Sequence, residues 1–128
     1  MIIPIFVAVS AEDFSALRAR EDRAEQAFEL IESEEVISTD IDKQWEDLRE
    51  VLVSHGGPTQ CVDGVDRWED DPLTVVLAPE EVSVVATALT DFDGALAEEA
   101  EVGDGLDELV DFYCAAASRG DAVVIVYN

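Results

Sequence analysis

Apolar residues run almost without a break from Ile2 to Val9, and their β-branched and aromatic character marks a strand. Pro4 has no N–H to give a ladder, so this strand is expected at a sheet edge or to begin pairing after the proline. Ser10 follows, with Asp13 three residues on. That pair reads as an N-cap with an acidic residue in the first turn, where the positive end of a helix favours it. Phe14, Leu17, Ala24, Phe28 and Ile31 recur at helical spacings and predict a long amphipathic helix. Glu21, in an otherwise apolar position, is where that helix would break.

A second helix is expected after Ser38-Thr39-Asp40, because Ile41, Trp45, Leu48 and Leu52 fall on one face, and Gly56-Gly57-Pro58 would end it. From there to Pro72 few apolar residues recur, and the stretch reads as a long loop holding Gly64 and the acidic Asp66, Glu69, Asp70 and Asp71. A loop of that length in a small domain is mobile or functional. Leu73 to Leu77 is a continuous apolar run suited to a buried strand. Pro79 fits the first turn of the next helix, whose core stripe is Val82, Val85, Ala86 and Leu89. A weaker helical segment spans Ala95 to Glu101, with Gly103 and Gly105 interrupting it. Leu106, Leu109, Val110, Tyr113, Cys114 and Ala117 then form the stripe of a last helix capped by Gly120. Ala122 to Tyr127 is a terminal strand, and pairing it with the first strand would hide both apolar runs. The expected architecture is α+β, one domain over residues 1–128, with a small mixed sheet that includes the N- and C-terminal strands packed against four or five helices.

Composition changes the picture in one respect. Among 128 residues, 31 are Asp or Glu and only 7 are Lys or Arg, a formal charge of −24. Disorder is the usual consequence of high charge with low hydrophobicity, but 48% of these residues are apolar and periodic, so a folded core under an acidic shell is expected. Phosphate backbones and anionic membrane surfaces repel such a polyanion, which argues against direct nucleic-acid and membrane partners. A basic protein is the partner its charge suits. Lys43 is the only lysine, and the acidic excess is also what general salt adaptation would produce. No basic residue precedes Arg18, so the first apolar run is not a signal peptide, and no run approaches the roughly 18–20 residues that span a bilayer. Cys61 and Cys114 stand far apart without a Cys-x-x-Cys spacing. Free thiols and a cytoplasmic location are expected.

Catalytic constellations are not legible. The only histidine, His55, closes the second helix, where its simplest role is a charge at the C-terminus. Asp91-x-Asp93-Gly94 echoes a calcium loop, but Leu89 and Ala100 occupy ligand positions and the pattern fails. There is no glycine-rich phosphate loop, and 31 acids make any single carboxylate pair uninformative. The reading leans away from an enzyme and expects no cofactor, no metal site and no catalytic residue. The most distinctive string is Asp40-Ile41-Asp42-Lys43-Gln44-Trp45. Its simplest account is structural: Thr39 or Asp40 caps a helix, Asp42 favours the first turn, and Trp45 anchors the core. The alternative is a small-molecule binding protein or weak enzyme, with Asp40, Asp42 and Lys43 bordering a pocket walled by Trp45.

The same string, Asp-Ile-Asp-Lys-x-Trp followed by Leu48 and Leu52, resembles the core signature of the YfbM-like family, small bacterial proteins carrying a domain of unknown function. Leu77-Ala78-Pro79-Glu80-Glu81-Val82 is similar to the family's Leu-Ser-Pro-Glu-Glu-Val helix start. The opening Met1-Ile2 strand and the segment from Leu109 through Tyr113 and Gly120 to the last strand resemble its two ends. Two features depart. Family members often carry histidines where this chain has Glu46 and Arg49, and the family's Ile-Tyr-Pro segment is replaced by Val102-Gly103-Asp104-Gly105, as in a shortened member. The resemblance implies an α+β fold and a cytoplasmic bacterial protein, and transfers no catalytic residue. From the residues themselves the expected role is a non-catalytic acidic interaction domain, one form of which is an immunity-type inhibitor or nucleic-acid mimic occupying a basic cleft.

Overall fold

In a computed structural model of the chain, residues 4–21, 45–70, 73–99 and 101–127 are described. The order is β1 (Pro4–Val9), α1 (Ala11–Arg18), α2 (Trp45–Ser54), α3 (Gln60–Asp63), β2 (Asp66–Asp70), β3 (Leu73–Leu77), α4 (Pro79–Asp91), α5 (Gly94–Glu99), α6 (Gly103–Arg119) and β4 (Ala122–Tyr127). The strands lie in the order β1-β4-β3-β2. The first and last strands pair, with Pro4 opposite Tyr127 and Val9 opposite Ala122, and the proline-bearing strand is at an edge as its missing donor requires. All three pairings are antiparallel, so within the α+β class the sheet is not the mixed one expected.

Alternation along the strands splits the core in two. Phe6, Val75, Leu77, Val123 and Ile125 face α2, α4, α5 and α6, whereas Val7, Val9, Val76, Val124 and Val126 share the opposite face with Phe14 and Leu17 of α1. α1 is held by its predicted cap, the Asp13 N–H donating to Ser10 Oγ at 3.2 Å, and it ends at Arg18 with Ala19 as C-cap. Most of the remainder of the long helix expected there lies outside the described residues, as does the expected start of the second helix after Ser38-Thr39-Asp40. Val82, Val85, Ala86 and Leu89 are buried as their spacing predicts. At the start of α4 the Ala78 N–H donates to Glu81 Oε1 at 2.7 Å, a one-sided version of the capping box, because Ala78 has no side-chain acceptor to return.

Four expectations are corrected. The 58–72 stretch is not a loop throughout, since it contains α3 and the edge strand β2. In β2 only Trp68 is apolar; a bulge between Arg67 and Glu69 turns it inward to stack on Phe14, ring centroids 5.5 Å apart. Six helices are present among the described residues, beyond the four or five expected, and Gly103 opens α6 instead of interrupting its predecessor. The buried stripe of α6 is also rotated. It runs through Leu106, Leu109, Phe112, Tyr113 and Ala116, leaving Val110, Cys114 and Ala117 half-buried. Gly120 does cap this helix: at φ 73° it is left-handed, and the next N–H, that of Asp121, returns to Ala116 O at 2.9 Å.

Candidate functional site

Of the residues proposed to border a pocket, Asp40, Asp42 and Lys43 lie outside the described residues. Trp45, the fourth, opens α2, half-buried, with its ring tilted 58° against Tyr127 at 5.1 Å. Around this aromatic pair the structure assembles a corner. α3 is a single turn held from below by two phenols: Tyr113 Oη donates to the Cys61 carbonyl at 2.9 Å, and Tyr127 Oη donates to the Val62 carbonyl. Above it, Arg49 makes a two-pronged pair with Asp63, Nε to Oδ1 at 2.7 Å and Nη2 to Oδ2 at 3.0 Å. Its hydrogen bond to Asp63 raises the guanidinium's already high value further.

The chemistry of this corner is closed. Burial, reinforced by the charge of Asp63, pushes the Cys61 thiol up to about 12, so it is protonated and no nucleophile. Burial likewise raises both phenols, Tyr113 and Tyr127, so neither serves as a base at neutral pH. Their hydroxyls are spent on carbonyls that would otherwise be buried without partners. Cys61 and Cys114 are both free thiols; Cys114 is half-buried, with Sγ 3.5 Å from Thr90 Oγ1.

A second region is open. Between the turn after α2, the outer face of α4, and α5 lies a groove of about 980 Å³. Gly57 sets its wall: the Gly57 N–H donates to Leu52 O at 2.7 Å, and a Cβ there would stand 2.7 Å from the Leu52 side chain and 2.8 Å from the Phe92 ring, so a larger residue would push those side chains aside. Val84, Val85, Ala88, Phe92 and Leu96 supply an apolar floor, extended by Val65. Glu80 and Glu81 stand at one end of α4, Asp91 and Asp93 at the other, and no Lys or Arg lines the groove among the described residues. His55, exposed in the turn after α2, also lines it. Val84 and Val65, 69% and 51% exposed, are two of the large apolar side chains left in solvent. Sequence reading missed this groove because its residues come from three elements and are individually unremarkable. The signal available was Val84, an apolar residue on the polar side of a well-defined amphipathic helix.

Among the described residues, no group of three or more His, Cys, Asp or Glu is arranged to hold a metal ion, and no helix is long and apolar enough to cross a membrane. The four-stranded antiparallel sheet with helices on both faces defines a small α+β domain. Residues 2–100 match the family described as "Domain of unknown function (DUF1877)", and the chain belongs to that family. Among solved structures it is similar to a protein of unknown function, YfbM, from Escherichia coli, with a TM-score of 0.70 and 18% identity over 100% of both chains. That likeness establishes the fold. No functionally curated protein matches the chain.

Proposed function

We propose that this protein is a non-catalytic, acidic interaction domain of the cytoplasm that engages a basic protein. One specific form of that role is an immunity-type inhibitor or nucleic-acid mimic that fills a basic cleft. The observation that carries the reading is the groove, with an apolar floor, carboxylates at both ends and, among the described residues, no Lys or Arg in its lining, on a chain of net charge −24. Such a field raises the encounter rate with cationic partners and makes association sensitive to salt, while the apolar floor supplies the short-range contact that charge alone lacks. Its test is retention by the immobilised full-length chain from a cytosolic extract at roughly 50 mM and roughly 500 mM salt, where the screening length shrinks about threefold. A discrete basic protein held at low salt and released at high salt is expected. Failure to retain any basic protein at low salt would count against the reading.

A second reading is supported by the Trp45–Tyr127 wall, which stands beside the Asp40, Asp42 and Lys43 segment in sequence. It makes these residues a small-molecule site, tested by whether Lys43→Met removes the thermal shift given by any anionic metabolite in a screen without lowering the melting temperature of the free protein. If the acidic surface serves salt adaptation alone, stability should climb with salt while neither assay finds a partner.

A further inference from the structure

We infer that the groove formed by the turn after α2, the outer face of α4, and α5 seats a basic amphipathic helix of a partner protein, apolar at its centre and cationic at both ends. This inference rests on the proposed role as an acidic interaction domain and adds to it a location and the conformation of the bound segment. Charge complementarity specifies the occupant. Glu80, Val84, Ala88 and Asp91 follow one another at steps of four, four and three on one face of α4, so carboxylates stand at the two ends and apolar side chains between them. At 1.5 Å per residue that face is about 16 Å long, the length of three helical turns.

Val84 and Val65, both lining this groove with Phe92, are left largely in solvent, and exposed apolar surface gathered in a concave, polar-rimmed site marks an interaction surface. Ala88 is small enough to let a second helix approach the α4 backbone closely. A strand is the poorer occupant. Among the described residues the lining comes mostly from helices and a turn, and the two non-helical amides of Gly57 and Val65 are already committed, to Leu52 O and Val76 O, so the groove offers no strand edge to an incoming extended segment. A helix satisfies its own backbone and needs from the groove only apolar contact and counter-charge.

The probe is a synthetic peptide of about 14 residues, with Leu at i, i+3, i+4 and i+7 and Arg and Lys at both ends, compared with a scrambled peptide of identical composition that lacks an apolar face. Binding to the full chain is measured by fluorescence anisotropy at low salt. The expected result is affinity for the amphipathic peptide at least about tenfold above that for the scrambled one, with Val84→Asp abolishing the preference. Val53→Asp, at another exposed valine, in α2 and outside the groove, should leave it intact. A charge-reversed double variant, Glu80→Lys with Asp91→Lys, should weaken binding without touching the floor. Equal binding of both peptides, unaffected by Val84→Asp, would overturn the groove as the site while leaving a general attraction for basic partners standing. Binding of neither peptide would overturn both.

Discussion

The corner around α3 and the groove beside α4 are built from neighbouring stretches of chain and are opposite in character. At the corner, two tyrosine hydroxyls are bonded to carbonyls, Arg49 and Asp63 pair at two points, and the Cys61 thiol is fully buried. In the groove, valines stand in solvent and carboxylates gather with no Lys or Arg in the lining among the described residues. The corner's groups are partnered within the fold, whereas the exposed valines of the groove are what the proposed partner would cover. Trp45, the described residue of the most distinctive local string, stands at the closed region, and the groove is lined by less distinctive sequence.

This contrast can be broken by substitution, most forcefully at the corner. Tyr113→Ala should cost about 3–5 kcal/mol in urea unfolding, as removal of a large buried ring does; a cost under about 1 kcal/mol would show the corner to be incidental. Next in size is the response to alkali. The Cys61 thiol is raised from 9.0 to about 12 by burial, so the stability linked to it is complete below pH 9 and lost as pH rises through the window from 9 to 12, with both buried phenols acting in the same direction. Urea titrations across that window should show a fall that is shallower in Cys61→Ala. Tyr127→Phe, which orphans the Val62 carbonyl, should cost about 1–2 kcal/mol.

Smaller effects sharpen the other side of the comparison. Ala78→Ser supplies the missing N-cap acceptor of α4 and should stabilise the protein by about 0.5–1 kcal/mol in thermal unfolding, without altering peptide binding at the groove. Val84→Asp should change stability by no more than about 0.5 kcal/mol, because the side chain is mostly in water already. A loss several times larger would mean that Val84 serves the fold and not a partner.

Much of the architecture was legible. β1, β3 and β4 are dense in β-branched residues, and α4 and α6 have regular apolar stripes between clear start and stop signals, so tertiary packing agreed with local preference. β2 was illegible because an edge strand needs only one buried residue, here Trp68, and acidic side chains elsewhere protect it from pairing with another chain. The α6 stripe was misread by one position, since Val110 and Cys114 look as apolar as Phe112 yet sit at the margin of the contact. The Arg49–Asp63 pair joins residues 14 apart, and the phenol–carbonyl bonds span 52 and 65 residues, distances over which no periodicity carries information. The acidic shell was evident from composition. Where it adjoins exposed apolar surface depends on how α4 and α5 meet the turn after α2, which only the fold decides.

The most direct measurement is a titration of the amphipathic basic peptide into isotopically labelled protein at low salt, followed by amide chemical shifts. The account predicts saturable shifts concentrated on the turn after α2, the outer face of α4, and α5. Shifts spread evenly over the acidic surface, or centred on Trp45 and the α3 corner, would contradict it.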